Sequence, residues 1–187
     1  MLAIRSVVAQ PSLRGLFLHR FIQTSSSLNM PVKAGDKLPS VDLYEGAPDK
    51  KVNTSSFNQG KVVIFGVPGA FTPTCTKDHA PGFVSAVDSL KAKGVKEVVC
   101  VSVNDPFVMA AWGRSLDPNG KIRFLADTCA EFAKALDVTL DLTAVLGNVR
   151  NKRYALLVDQ GVVKKVNLEP DGTGLTCSRA SDILNSL

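Results

Sequence analysis

Cys75 lies in the stretch Lys61 to His79, K-V-V-I-F-G-V-P-G-A-F-T-P-T-C-T-K-D-H. A cysteine acts as a nucleophile through its thiolate, and a free thiol at pH 7 is mostly protonated. The neighbouring residues address that. Thr72 is a good helix N-cap, and Pro73 suits the first helical position, where a missing N–H costs nothing. Cys75 then falls in the first turn, where unpaired N–H groups and the positive helix end favour an anion. Thr72 also brings a hydroxyl that can donate to a thiolate. The plainer alternative is a buried, inert cysteine, a common role for this residue. The Gly/Pro turn and the cap favour chemistry.

Three further cysteines, Cys100, Cys129 and Cys177, are widely spaced. With no C-x-x-C pair, the pattern argues against a zinc ribbon or a thioredoxin-type dithiol. In a reducing compartment such residues are thiols or redox centres rather than structural bridges. From the residues alone, Arg153 reads as a strand-end charge and Cys177 as an unpartnered cysteine at a helix start. His79 stands four residues after Cys75, so the two can share a helix face. It reads mainly as a local hydrogen-bonding residue. Cys100 lies in an apolar run and reads as core. Cys129 reads as a bystander in the first turn of a helix. Asp171-Gly172-Thr173-Gly174 is a turn and not a phosphate loop.

The elements that must hold Cys75 are legible around it. Lys61 to Val67 is an apolar, β-branched run, a buried strand that turns at Pro68 and Gly69. This puts the cysteine at a strand's carboxyl end, where open α/β sheets place their sites. The helix from Pro73 should run to Lys93 and Gly94, with a kink or break at Pro81. Val41 to Tyr44, Val98 to Val103, Ile122 to Leu125 and Arg153 to Val158 read as further strands. Gly46 to Lys50 is a turn. Asn104-Asp105-Pro106 starts a helix, and others are expected over Thr128 to Leu136 and Ser178 to Leu184. Gln160-Gly161 turns into Val162 to Leu168, a hairpin. Strands alternating with helices plus one hairpin imply an α/β fold with a mixed sheet.

The chain has 187 residues, 45% of them hydrophobic, and a formal charge of +5. Its composition suits one packed domain plus an extension, and no apolar run is long enough to span a bilayer. Residues 1–35 contain no acid and carry Arg5, Arg14 and Arg20 among serines and scattered apolar residues. That is the signature of a mitochondrial transit peptide. We therefore divide the chain into a leader over 1–29 and a domain over 30–187, with the mitochondrial matrix as destination. Initiation at Met30 would give a cytosolic form. The ending Asn185-Ser186-Leu187 is a poor match to a peroxisomal S-K-L. Removing 1–29 takes away three of the 22 basic residues and leaves 19 against 17 acidic, a net of +2. That charge gives no electrostatic argument for nucleic acid.

Pro68-x-x-x-Thr72-x-x-Cys75 resembles the active-site motif of peroxiredoxins. With S-V-N-D-P-F-V at 102–108 and D-G-T-G-L-T-C at 171–177, the chain resembles type 5 peroxiredoxins over residues 32–187. The resemblance implies a thioredoxin-like fold, a central mixed β-sheet flanked by helices. It implies a peroxidase acting on hydrogen peroxide, alkyl hydroperoxides and peroxynitrite. Cys75 matches the peroxidatic cysteine, which becomes a sulfenic acid. Thr72 matches the threonine that bonds thiolate and peroxide, Pro68 the proline that shields the site, and Arg153 the arginine that stabilises the developing charge. Cys177 matches the resolving cysteine, which closes an intramolecular disulfide that thioredoxin reduces. A resolving thiol diverts the sulfenic acid before it climbs to sulfinic acid. The resemblance implies no metal or organic cofactor, and a monomer or weak homodimer. There is no Gly-Gly-Leu-Gly run and no C-terminal Tyr-Phe helix, so comparative resistance to overoxidation is expected. The competing reading is a redox relay, in which Cys75 passes its oxidation to a partner protein.

Overall fold

A computed structural model describes residues 30–187. The leader reading over 1–29 lies outside the described residues. The strand expected at Lys61 to Val67 forms as β3 (Lys61–Val67) and is an inner strand of a seven-stranded sheet. β4 (Val95–Ser102) runs parallel to it on one side, followed by β5 (Arg123–Ala126), also parallel. On the other side β8 (Tyr154–Asp159) is antiparallel, and β9 (Val162–Leu168) pairs with β8 as the expected hairpin. β1 (Asp42–Tyr44) and β2 (Lys51–Asn53) complete the sheet, in the order β2-β1-β5-β4-β3-β8-β9. The Gln160-Gly161 turn has positive φ at both residues, 50° and 72°, as a two-residue hairpin loop demands.

Alternation along β3 builds the two layers. Val63, Phe65 and Val67 face a core closed by α1 (Ala80–Ala92), α2 (Pro106–Leu116) and α5 (Ala180–Leu184). Val62 and Ile64 face the opposite core, with Phe57, Phe132 and Leu136. Burying each such side chain contributes about 1.5–3 kcal/mol. Gly66 belongs to β3 because Tyr154 of β8 lies directly over it, where a Cβ would collide with the phenol ring. Pro68 and Gly69 follow β3 and are buried. The fold is thus the expected α/β arrangement, a central mixed sheet flanked by helices.

The helix after the turn starts at Pro73, as expected, but Pro81 does not break it. Cys75–His79 form a π turn that runs into α1, with the Ala80 N–H donating to the Cys75 carbonyl. Pro81 has no N–H for the Lys77 carbonyl, and the widened turn is where that mismatch is absorbed. Two expectations are corrected. The third helix, α3 (Glu131–Ala135), is shorter than Thr128 to Leu136. The Asp127 carboxylate accepts from the N–H groups of Phe132 and Ala133, and Ala130 is left-handed at φ 57°, so the helix starts late. Cys129 therefore lies in the preceding turn, exposed, and not in a helical first turn. A small hairpin of β6 (Thr139–Asp141) and β7 (Val149–Asn151), with α4 (Thr143–Leu146) between them, was not anticipated.

Candidate active site

Cys75 is fully buried at the start of the π turn. Its sulfur receives a hydrogen bond from Arg153 Nη1 at 3.3 Å. Arg153 stands just before β8 and is itself buried, 2% exposed. The antiparallel pairing of β3 with β8 brings the two together from 78 residues apart. An ionised donor on sulfur is a charge-assisted contact, stronger than a neutral one. Arg153 is fixed at its other atoms too. Its Nε donates to the Thr173 carbonyl at 3.1 Å and its backbone N–H to the Gly172 carbonyl at 2.7 Å.

His79 completes the arrangement. Its Nε2 lies 2.8 Å from the Ser178 carbonyl and its Nδ1 lies 3.2 Å from Arg153 Nη1. A carbonyl only accepts, so the proton sits on Nε2 and Nδ1 offers its lone pair to the guanidinium. Burial, with the Arg153 charge beside it, lowers the imidazole pKa to about 4, so it is neutral at pH 7. The burial has visible causes. Phe65 and Phe83 stack at 4.1 Å, and both present their rings to the imidazole at 5.2 and 5.4 Å. His79 is therefore not a local residue as expected, since its bonds reach Arg153 and Ser178.

Thr72 is placed beside the turn, and its carbonyl accepts the Thr76 N–H at 3.0 Å, as a cap residue's should. Its hydroxyl, however, donates to the Gly69 carbonyl at 2.8 Å and not to the cysteine. A Cβ on Gly69 would press against the Thr72 methyl at 3.1 Å, so the Pro68-Gly69 turn and Thr72 are packed as a unit. Trp112 from α2 donates its indole N–H to Thr76 Oγ1 at 3.1 Å, one residue from Cys75.

Cys177 is a free thiol, half-buried, with its sulfur 3.5 Å from the Leu168 carbonyl. Burial and the charges of Glu169 and Asp182 raise its pKa above the ordinary thiol value. Cys75 is also a free thiol. Glu169 was not singled out from the sequence, yet its buried carboxylate organises the whole Cys177 segment. Burial would raise its pKa, but bonds from Thr176, Cys177 and Ser178 outweigh that and hold it at about 2. Its one sequence signal is its place just before the Asp171-Gly172 turn and eight residues before Cys177. Cys100 is core, as expected, opposite Phe65 in the β3–β4 register; burial pushes its thiol pKa well up. Among the described residues, no cluster of His, Cys, Asp or Glu could hold a metal ion.

The architecture is thioredoxin-like: a mixed sheet, with a buried cysteine after the carboxyl end of the inner strand β3 that is bonded to a guanidinium. The redoxin family profile matches residues 33–184. Peroxiredoxin-2E, chloroplastic, of Arabidopsis thaliana is 46% identical over 175 residues, 88% of this chain and 74% of its own length. A reduced Prx3 in complex with H2O2 from Vibrio vulnificus superposes with a TM-score of 0.77 at 41% identity, covering 83% of this chain and 99% of its own. Peroxiredoxin 5 from Alvinella pompejana superposes with a TM-score of 0.75 at 43% identity, covering 83% and 97%. The chain belongs to the peroxiredoxin family and has its thioredoxin-like fold.

Proposed function

We propose that the chain is a two-cysteine thiol peroxidase of the type 5 kind. Family membership supports the peroxidase class, and the observation that carries the mechanism is the 3.3 Å bond from Arg153 to the Cys75 sulfur. The Cys75 thiolate attacks one peroxide oxygen. The S–O bond forms, the O–O bond breaks, and the leaving oxygen departs with a proton as water or an alcohol, or as nitrite from peroxynitrite. Arg153 lies where the negative charge is shared between sulfur and oxygens, and a donor aimed there is worth most in the transition state. The Thr72 hydroxyl exchanges its Gly69 partner for the reacting atoms by rotation about one side-chain bond. Pro68, buried beside it, keeps water out.

Cys177 then attacks the sulfenic sulfur of Cys75. The S–S bond forms, the S–O bond breaks, and water leaves. Thioredoxin reduces the disulfide. The substrate class is hydrogen peroxide and small organic hydroperoxides, with peroxynitrite, and the fully buried Cys75 favours small ones. We assign the leader to mitochondrial import on its Arg-rich, acid-free composition.

The test is peroxide consumption by the full chain with thioredoxin, thioredoxin reductase and NADPH, beside Cys75→Ser and Cys177→Ser. Loss of turnover in both, with peptide mapping that joins Cys75 to Cys177, is the expected result. Persistent turnover in Cys177→Ser would remove the resolving role. Oxidation without turnover in the unmutated chain would favour the relay.

A further inference from the structure

The segment 168–178 holds Cys177 through an unusual concentration of bonds on one side chain. Glu169 Oε1 accepts from the N–H groups of Thr176, Cys177 and Ser178, each at 2.9 Å, and from Ser178 Oγ at 2.7 Å. Glu169 Oε2 accepts from Thr176 Oγ1 at 2.7 Å. Glu169 is 1% exposed, so these bonds replace its water entirely. Bonds to an ionised acceptor are roughly twice as strong as neutral ones. The upstream part of the segment is held as well, since Asp171 Oδ1 accepts from the N–H groups of Thr173 and Gly174.

The held position is not the reacting one. Cys177 Sγ rests on the Leu168 carbonyl, whereas Cys75 Sγ, with no exposed surface, rests on Arg153. A disulfide needs the two sulfurs at about 2.05 Å. Cys177 must therefore leave Leu168, and the three consecutive N–H groups around it must leave Glu169 or carry it along.

We propose that Glu169 is a positioning residue for Cys177, a carboxylate clamp that withholds the resolving thiol from Cys75, and that opening this clamp sets the rate of disulfide closure. The inference rests on the two-cysteine reading above. Closure proceeds at the intrinsic rate multiplied by the fraction of molecules with the segment released, so a weaker clamp gives faster closure. The same carboxylate keeps a negative charge beside the Cys177 thiol, which opposes its ionisation while the segment is held. The closing step needs no outside reagent. The Cys177 thiolate displaces oxygen from the Cys75 sulfenic sulfur, and the oxygen leaves as hydroxide that takes up the thiol proton.

Glu169→Gln keeps the shape and one acceptor oxygen but removes the charge, and Thr176→Val removes a single hydroxyl. In a Cys75→Ser background of the full chain, where no Cys75–Cys177 disulfide can form, two readings follow release, and amide exchange together with Thr176→Val, which keeps the carboxylate, separates release from the loss of charge beside the thiol. They are the alkylation rate of Cys177 by iodoacetamide and amide hydrogen exchange over 176–178. Both should rise several-fold in Glu169→Gln and less in Thr176→Val, with circular dichroism unchanged. With Cys75 present, rapid-quench mass spectrometry after one equivalent of peroxide should show sulfenic acid forming at the unmutated rate and disulfide closing several-fold faster. Slower closure, or unchanged alkylation and exchange beside a normal disulfide, would overturn the clamp alone. An unmutated chain that forms no Cys75–Cys177 disulfide would overturn the two-cysteine reading and the closure role with it. Should Glu169→Gln fail to fold, Thr176→Val decides the same question.

Discussion

Arg153 Nη1 donates to both Cys75 Sγ and His79 Nδ1, at 3.3 and 3.2 Å, and the second bond exists only while the imidazole is neutral. The ring's other nitrogen is committed to the Ser178 carbonyl. His79 thus joins the guanidinium at the Cys75 sulfur to the segment that carries Cys177, and its two nitrogens can be tested apart. Asparagine places its carbonyl oxygen near the Nδ1 position, and glutamine places its amide near Nε2. His79→Asn should keep most of the rate of Cys75 oxidation, while His79→Gln should lose more of it because Arg153 loses its acceptor. Stopped-flow tryptophan emission can follow the step, because the single Trp112 bonds Thr76 beside Cys75. Equal losses in both variants would point to packing alone.

Arg153→Lys should lower the second-order rate of Cys75 oxidation by about a hundredfold or more, the size expected when one preorganised donor to a developing charge is removed. Lysine keeps the charge but not the planar fork, so it cannot reach sulfur, His79 Nδ1 and the Thr173 carbonyl together. Competition against a calibrated peroxidase gives the rate. A fall of less than about threefold, small beside the range for such donors, would leave Arg153 a structural cation.

The parts of this site that were legible in the sequence are those set by local rules. The β-branched run of β3, the Pro68-Gly69 turn and the helix from Pro73 each follow from residue type and spacing, and they place Cys75. The Arg153–Cys75 contact does not, because it depends on β8 pairing antiparallel with β3, a long-range choice that no window of sequence contains. Family resemblance supplied that role. Glu169 and Ser178 stayed hidden for a further reason. Glu169 pairs mainly with backbone N–H groups, and Ser178 meets His79 through its own backbone carbonyl; neither kind of pairing leaves a mark on residue type. The late start of α3 is a similar case. The Asp127 side chain holds the N–H groups of Phe132 and Ala133, so the helix starts after the expected Thr128, and Cys129 moves from helix to exposed turn as a result.

Gly66→Ala should destabilise the domain without touching the chemistry. Its Cβ would enter the ring of Tyr154, whose neighbours on β3 and β8 are all buried. Overpacking of this kind costs about 1–3 kcal/mol. Urea unfolding should show a lower midpoint at an unchanged slope. A midpoint equal to the unmutated one would mean that Tyr154 can swing clear.

Acid should unfold the reduced protein in two overlapping stages, one set by the burial of His79 and one by the hydrogen bonds that Glu169 accepts. His79 has its pKa lowered to about 4 from an ordinary 6.5, so between those values the unfolded chain binds a proton that the folded chain does not. Stability is complete above about pH 6.5 and falls as the pH drops through 4. Glu169 is held at about 2 against an ordinary 4.5, so its contribution is present above 4.5 and is lost as the pH falls towards 2. Thermal melts from pH 7 to 3 should therefore show Tm declining first below about 6.5 and more steeply below 4.5, where both groups take part. His79→Asn, which cannot titrate, should flatten the decline between 6.5 and 4.5 and leave the steeper one. An unmutated Tm that holds constant down to pH 4.5 would mean that the imidazole takes its proton without leaving Arg153 and Ser178, and the neutral bridge would fall.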